Sequence, residues 1–103
     1  MNDPPKLEGK VALVTGAGRG IGKAVALSLA RSGCRTVLAS RTRDQLEQVE
    51  NDIRAQGGQA LSVPTDLTKD DELERLIEKS QAAWQGVDFL INNAGWGKRA
   101  PVI

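Results

Sequence analysis

The stretch from Val11 to Gly22 restricts what this chain can fold into more than any other. Val11-Ala12-Leu13-Val14 is an unbroken apolar run, the pattern of a strand buried on both faces. Thr15-Gly16-Ala17-Gly18-Arg19-Gly20 follows and cannot prolong that strand. From Ile21 a helical pattern takes over, with Val25, Leu29 and the small Ala24 and Ala30, and Gly33 supplies its stop. A buried strand, a glycine-rich turn and a helix are the arrangement in which backbone N–H groups at a helix N-terminus can meet a diphosphate. Gly16, Gly18, Gly20 and Gly22 stand where a larger side chain would hold the anion away. A glycine-rich turn that binds nothing is the alternative, and the flanking strand and helix weigh against it.

The same cycle repeats along the chain. Thr36-Val37-Leu38-Ala39-Ser40 reads as a second buried strand, and Leu46, Val49 and Ile53 mark one face of a second helix that Gly57-Gly58 stops. Ala60-Leu61-Ser62-Val63 reads as a third strand ended by Pro64. A third helix is predicted from about Lys69, with Thr68 as N-cap and Leu73, Leu76, Ile77 and Trp84 on one face. Asp70, Asp71 and Glu72 suit the positive end of its dipole, and Gly86 closes it. Val87 to Ile91 is the fourth strand. Regular alternation implies parallel strands with right-handed crossovers, a Rossmann-type doubly wound α/β sheet truncated after its fourth strand. Residues 1–9 read as an arm and 10–103 as a partial dinucleotide-binding domain. In the doubly wound order the first strand lies beside the fourth, and the glycine-rich turn falls at the crevice where the order reverses.

Composition narrows the function classes. A net charge of +1 supplies no broad field for nucleic acid or an anionic membrane, so any anion site is local. The lone Cys34 permits no intrachain disulfide, and with no histidine and no cysteine pair a metal site is not expected. Cys34 itself reads as a small buried residue entering a strand. The start, Met1 to Lys6, lacks the apolar core of a signal peptide, and no apolar run approaches the ~20 residues of a membrane span. A cytoplasmic protein is expected.

The end of the second strand carries the next signal. A site for NAD usually places Asp or Glu there, where the carboxylate holds the ribose 2′-hydroxyl. Here Ser40 and Arg41 occupy that place, and a hydroxyl beside a guanidinium suits a 2′-phosphate that a carboxylate would repel. Arg19, inside the glycine turn, approaches from the other side; for both arginines the alternative is a solvated surface position. NADP(H) is therefore the expected cofactor. Arg43 reads as solvent-facing. Asp66, after the third strand, either accepts from an adenine amino group or serves as a turn residue ahead of the third helix. Asn92-Asn93-Ala94-Gly95, after the fourth, reads alone as a turn with room for a ligand.

Taken in order, the turn Thr15 to Gly22, then Asp66-Leu67, then Asn92-Asn93-Ala94-Gly95, resembles the successive N-terminal motifs of the short-chain dehydrogenase/reductase family. The resemblance runs from Leu7 to the end. It implies that Gly16, Gly20 and Gly22 shape a diphosphate loop that includes Gly18, Arg19 and Ile21. It implies too that Asp66 and Leu67 hold adenine, and that Asn92 to Gly95 support the central sheet and line the cofactor, with Asn93, Ala94 and Gly95 at the cofactor. Ser40-Arg41 with Arg19 resembles the family's NADP(H)-preferring pattern, and the general flavour is that of 3-oxoacyl-carrier-protein reductases. Family members move hydride between a nicotinamide and a ketone or secondary alcohol, acting on small molecules and commonly as homo-oligomers.

The family's Ser and Tyr-x-x-x-Lys lie downstream of the Asn-Asn-Ala-Gly motif. This sequence contains no tyrosine, and Ser28, Ser62 and Ser80 do not match the serine's place, so no catalytic residue is carried over. Two further classes stay open: a non-catalytic NADP(H)-binding module, and a purely structural α/β interaction domain. An open apolar edge on the fourth strand is expected to leave the 103-residue chain marginally stable or self-associating. Sedimentation velocity should show concentration-dependent association; a monomer that melts sharply in dilute solution would contradict this.

Overall fold

In a computed structural model that describes residues 7–93, four strands and three helices alternate along the chain. They are β1 (Val11–Thr15), α1 (Gly20–Arg31), β2 (Arg35–Ser40), α2 (Arg43–Ala55), β3 (Gln59–Pro64), α3 (Asp70–Trp84) and β4 (Phe89–Asn92). The strands form one parallel sheet in the order β3-β2-β1-β4. Residues 1–6 of the arm lie outside the described residues, while Gly9 is already anchored, its N–H donating to Gly33 O at 3.0 Å.

Every residue of β1 is buried, because helices cover both faces of the sheet. Val14 and Leu38, register partners, face the side of α1 and α2, where Ala26, Ala30, Leu46, Val49 and Ile53 complete a core cluster. Leu13 and Val37, the neighbouring partners, face α3 and pack with Val63 and Leu76. Each such fully buried aliphatic side chain contributes about 1.5–3 kcal/mol of transfer free energy. No helix among the described residues is long and apolar enough to cross a membrane.

Several boundaries differ from the sequence expectation. Lys69, not Thr68, is the N-cap of α3, and it makes no side-chain capping bond. The Thr68 hydroxyl is diverted to Asp66 Oδ1 at 2.6 Å, which closes a turn one residue earlier. At the other end Gln85, rather than Gly86, takes the left-handed cap position at φ 66°. Pro64 belongs to β3 as the partner of Ser40, a place it can hold because the strand is outermost and the next N–H, Thr65, bonds to Ser40 O at 2.7 Å. β4 starts at Phe89 because Asp88 acts as a clamp before it. Its carboxylate accepts the Val11 N–H at 2.8 Å, and its own N–H donates to Val11 O at 2.8 Å.

The buried face of α3 is also narrower than its periodicity suggests. Leu76 and Ser80 are buried, the serine hydroxyl satisfied by Leu76 O at 2.8 Å, whereas Ile77 is 46% exposed. Ile77, Leu73 and the half-exposed Leu90 of β4 rim an apolar hollow of about 270 Å³ floored by Leu13 and Leu76.

Cys34 lies at the opposite end of the sheet, 2% exposed, its thiol directed at Leu7 O at 3.6 Å. Burial pushes its pKa up, and the charge of Asp88 adds to the effect. The native thiol is expected to resist iodoacetamide at neutral pH and to react once urea unfolds the chain. Labelling as fast in the native state as in urea would contradict that burial.

Candidate dinucleotide site

The parallel sheet brings the carboxyl ends of all four strands to one side. Gly16 (φ 62°) and Gly20 (φ 60°) turn the chain from β1 into α1 through left-handed conformations that cost a residue with a Cβ free energy. Gly22 serves a different need. A methyl group there would lie 2.0 Å from Gly16 O and 2.8 Å from Asn93 Nδ2, so only hydrogen lets α1 press on the loop that precedes it. Arg19 is the N-cap of α1, with extended backbone and no side-chain capping bond, so no capping side chain occupies the helix's N-terminal donors. Such a turn is shaped to receive an anion.

Thr15 joins this turn to β4. Its buried hydroxyl accepts the Asn93 N–H at 2.9 Å and lies 3.0 Å from Asn92 Oδ1. The Asn93 carboxamide is thereby held against Gly22. Ala94 and Gly95, the rest of that motif, lie outside the described residues.

Two clefts open at this end and share Ser40 and Arg41. The larger, about 330 Å³, is lined by Gly16, Gly18, Arg19, Ser40, Arg41, Thr42 and Gln45. The smaller, about 180 Å³, continues past Ser40 and Arg41 to Thr65, Asp66, Leu67 and Thr68. Ser40 Oγ accepts the Thr42 N–H at 3.3 Å, which fixes the hydroxyl at the junction. Arg19 and Arg41 are exposed, and neither lies within ion-pairing distance of a carboxylate among the described residues. Arg43 instead pairs with Glu47 at 3.8 Å on the outer face of α2 and lines neither cleft.

Asp66 forms a turn and also lines a cleft. It is a turn residue, its Oδ1 accepting from the Thr68 hydroxyl at 2.6 Å and the Thr68 N–H at 3.0 Å, and it also walls the smaller cleft. The Thr68 hydroxyl, then the Thr68 N–H, hold its carboxyl below the usual carboxylate range, and the positive charges of Lys69 and Arg41 act in the same direction. Its own N–H donates to Glu72 Oε1 at 2.7 Å, which docks the turn onto the first turn of α3. Leu67 faces both the smaller cleft and the apolar hollow. Ile21, 73% exposed at the start of α1, lines neither cleft.

Thr42 and Gln45 stand in the larger cleft although the sequence pattern did not single them out. The signal was present: a helix that follows a strand's carboxyl end begins at the crevice, so its first turn faces the site.

The contact between Gly22 and Gly16 gives a direct test. Gly22→Ala is expected to force α1 away from the loop, destabilise the fold by about 1–3 kcal/mol and abolish dinucleotide binding. Urea denaturation with a binding titration checks both, and an unchanged midpoint with retained binding would refute the close approach.

Comparison with known proteins agrees with this geometry. A family model described as short chain dehydrogenase matches residues 10–103. A fatty acyl-CoA reductase of Acinetobacter baylyi is 45% identical over 96 residues, 93% of this chain and 32% of that protein. The structure of a metagenomic short-chain oxidoreductase in complex with NADP superposes with a TM-score of 0.83 at 45% identity, over 88% of this chain and 41% of that one. The structure of a xylitol dehydrogenase bound to NAD+ superposes with a TM-score of 0.84 at 40% identity, over 88% of this chain and 35% of that one. The chain thus spans roughly a third to two fifths of the length of these relatives. Motif order, sheet order and likeness agree along nearly all of its length, and the chain belongs to the short-chain dehydrogenase/reductase family.

Proposed function

We propose that this chain is the N-terminal, NADP(H)-binding part of an oxidoreductase that transfers hydride between NADP(H) and a ketone or secondary alcohol. The observation that carries the cofactor choice is the wall shared by the two clefts. Ser40 and Arg41 stand there, where a carboxylate would serve the 2′-hydroxyl of NAD, and Arg19 lines the larger of the two clefts. A 2′-phosphate placed at that wall finds a hydroxyl and two guanidinium groups that form no ion pair among the described residues. Relatives differ in cofactor, NADP in one solved structure and NAD+ in another, so family membership alone does not choose between them.

The remaining assignments follow from position in the same clefts. Gly16, Gly18 and Gly20 with the first turn of α1 at Ile21 and Gly22 receive the diphosphate. Asp66 and Leu67 border the adenine in the smaller cleft, and Asn93 lines the cofactor together with Ala94 and Gly95, which lie outside the described residues. When bound, the nicotinamide supplies the hydride; this chain's residues bind and orient it. Action on a small-molecule substrate, assembly as a homo-oligomer and a cytoplasmic location belong to the same proposal. The relatives named above do not single out the 3-oxoacyl-carrier-protein reductase branch, and the substrate is left at the level of a ketone or alcohol.

Arg41→Asp tests this in the full protein that carries the chain. Affinity for NADPH should fall about 10- to 100-fold, the worth of one charge-assisted bond, while affinity for NADH rises or holds. Fluorescence titration with both cofactors reads the change. An unchanged preference would remove Arg41 from the site.

A further inference from the structure

Gln45 is the third residue of α2, and its spacing places it on the face that Val49 and Ile53 continue. Those two are fully buried, as is the adjacent Leu46, so core packing alone would favour an apolar residue at position 45 as well. A glutamine stands there because the stripe has run off the core and onto the glycine turn. A Cβ at Gly18 would lie 2.8 Å from Gln45 Cβ and 3.0 Å from its Oε1, so the glycine at 18 makes room for this side chain. Ser40 Oγ would be 3.4 Å from that same Cβ, which puts the glutamine and the serine beside one point of the loop. The carboxamide is half-buried, lines the larger cleft with Arg41 and Arg19, and has no hydrogen-bond partner among the described residues. Its polar atoms stay open to the cleft, so the amide can bond a ligand there without giving up an internal partner.

We propose that Gln45 is a specificity-determining residue of the cofactor site, its carboxamide hydrogen-bonding the 2′-phosphate of the adenosine ribose beside Ser40 and Arg41. This rests on the NADP(H) reading and adds to it a residue from α2. Ser40 and Arg41 approach the phosphate from β2, Arg19 from the glycine turn and Gln45 from the second helix, so three elements must hold their spacing for the phosphate to fit.

Gln45→Glu keeps length and shape but presents a negative charge to the phosphate, and Gln45→Met keeps volume but removes the hydrogen bond. Isothermal titration of the full protein with 2′,5′-ADP and with 5′-ADP separates the phosphate contact from the rest of the adenosine site. The expected result is a loss of about 10-fold or more in 2′,5′-ADP affinity for Gln45→Glu, a smaller loss for Gln45→Met, and 5′-ADP binding unchanged in both. Equal losses for the two ligands would make Gln45 a structural support of the loop and overturn the proposal, as would unchanged 2′,5′-ADP binding in both variants; either leaves the NADP(H) reading standing if the unsubstituted protein prefers 2′,5′-ADP. An unsubstituted protein with no such preference would overturn both.

Discussion

The candidate site depends on one contact, the hydrogen of Gly22 against the carbonyl of Gly16. It sets how closely α1 approaches the end of β1, and hence whether the helix's first N–H groups point into the crevice or past it. Two left-handed glycines, Gly16 and Gly20, give the loop the curvature that this approach requires. Asn93, arriving from β4 and held by Thr15, closes the same point from the other side. These contacts constrain the turn without a ligand, and a constrained turn pays less ordering cost on binding.

The sheet supplies the frame for that contact. β1 is the most enclosed strand because β2 and β4 flank it and both its faces are packed, so its carboxyl end cannot drift. The Asp88 clamp on Val11 and the Thr15 bonds fix β1 to β4 at both ends of the strand, with the apolar ladder between them. On the other flank the Glu50 carboxylate accepts the Ser62 N–H and pairs with Arg54, fastening α2 to β3. These bonds set the distances among strand ends that are far apart in sequence, and the two clefts are a product of those distances.

Charge is distributed to match. The acidic first turn of α3, Asp70 to Glu72, stands next to its own helix N-terminus, where it stabilises the helix. No acidic residue stands in the first turn of α1, and Asp44 in α2 lines neither cleft. The larger cleft therefore carries arginines, hydroxyls and an amide with no carboxylate among its lining residues. Asp66 is the acid of the smaller cleft, kept ionised by Thr68 and placed where Arg41 separates it from the larger one.

The alternation of strand and helix, the parallel order and the glycine turn were legible in the sequence because each rests on local patterning: apolar runs, helical periodicity and glycines at fixed offsets. That Ser40, Arg41 and Asp66 line the clefts was legible for a related reason, since strand ends in such a sheet lie at the crevice. What local patterning cannot carry is a choice among competing partners. Whether Thr68 caps α3 or bonds Asp66, whether Asp88 continues β4 or clamps Val11, and which face of α3 is covered are decided by what packing brings within hydrogen-bond distance. The roles of Gly18 and Gln45 belong to the same class. Sequence determined that a glycine stands at 18 and a glutamine at 45; only the docking of α2 against the glycine turn made each the reason for the other, because the contact joins residues that share no local pattern.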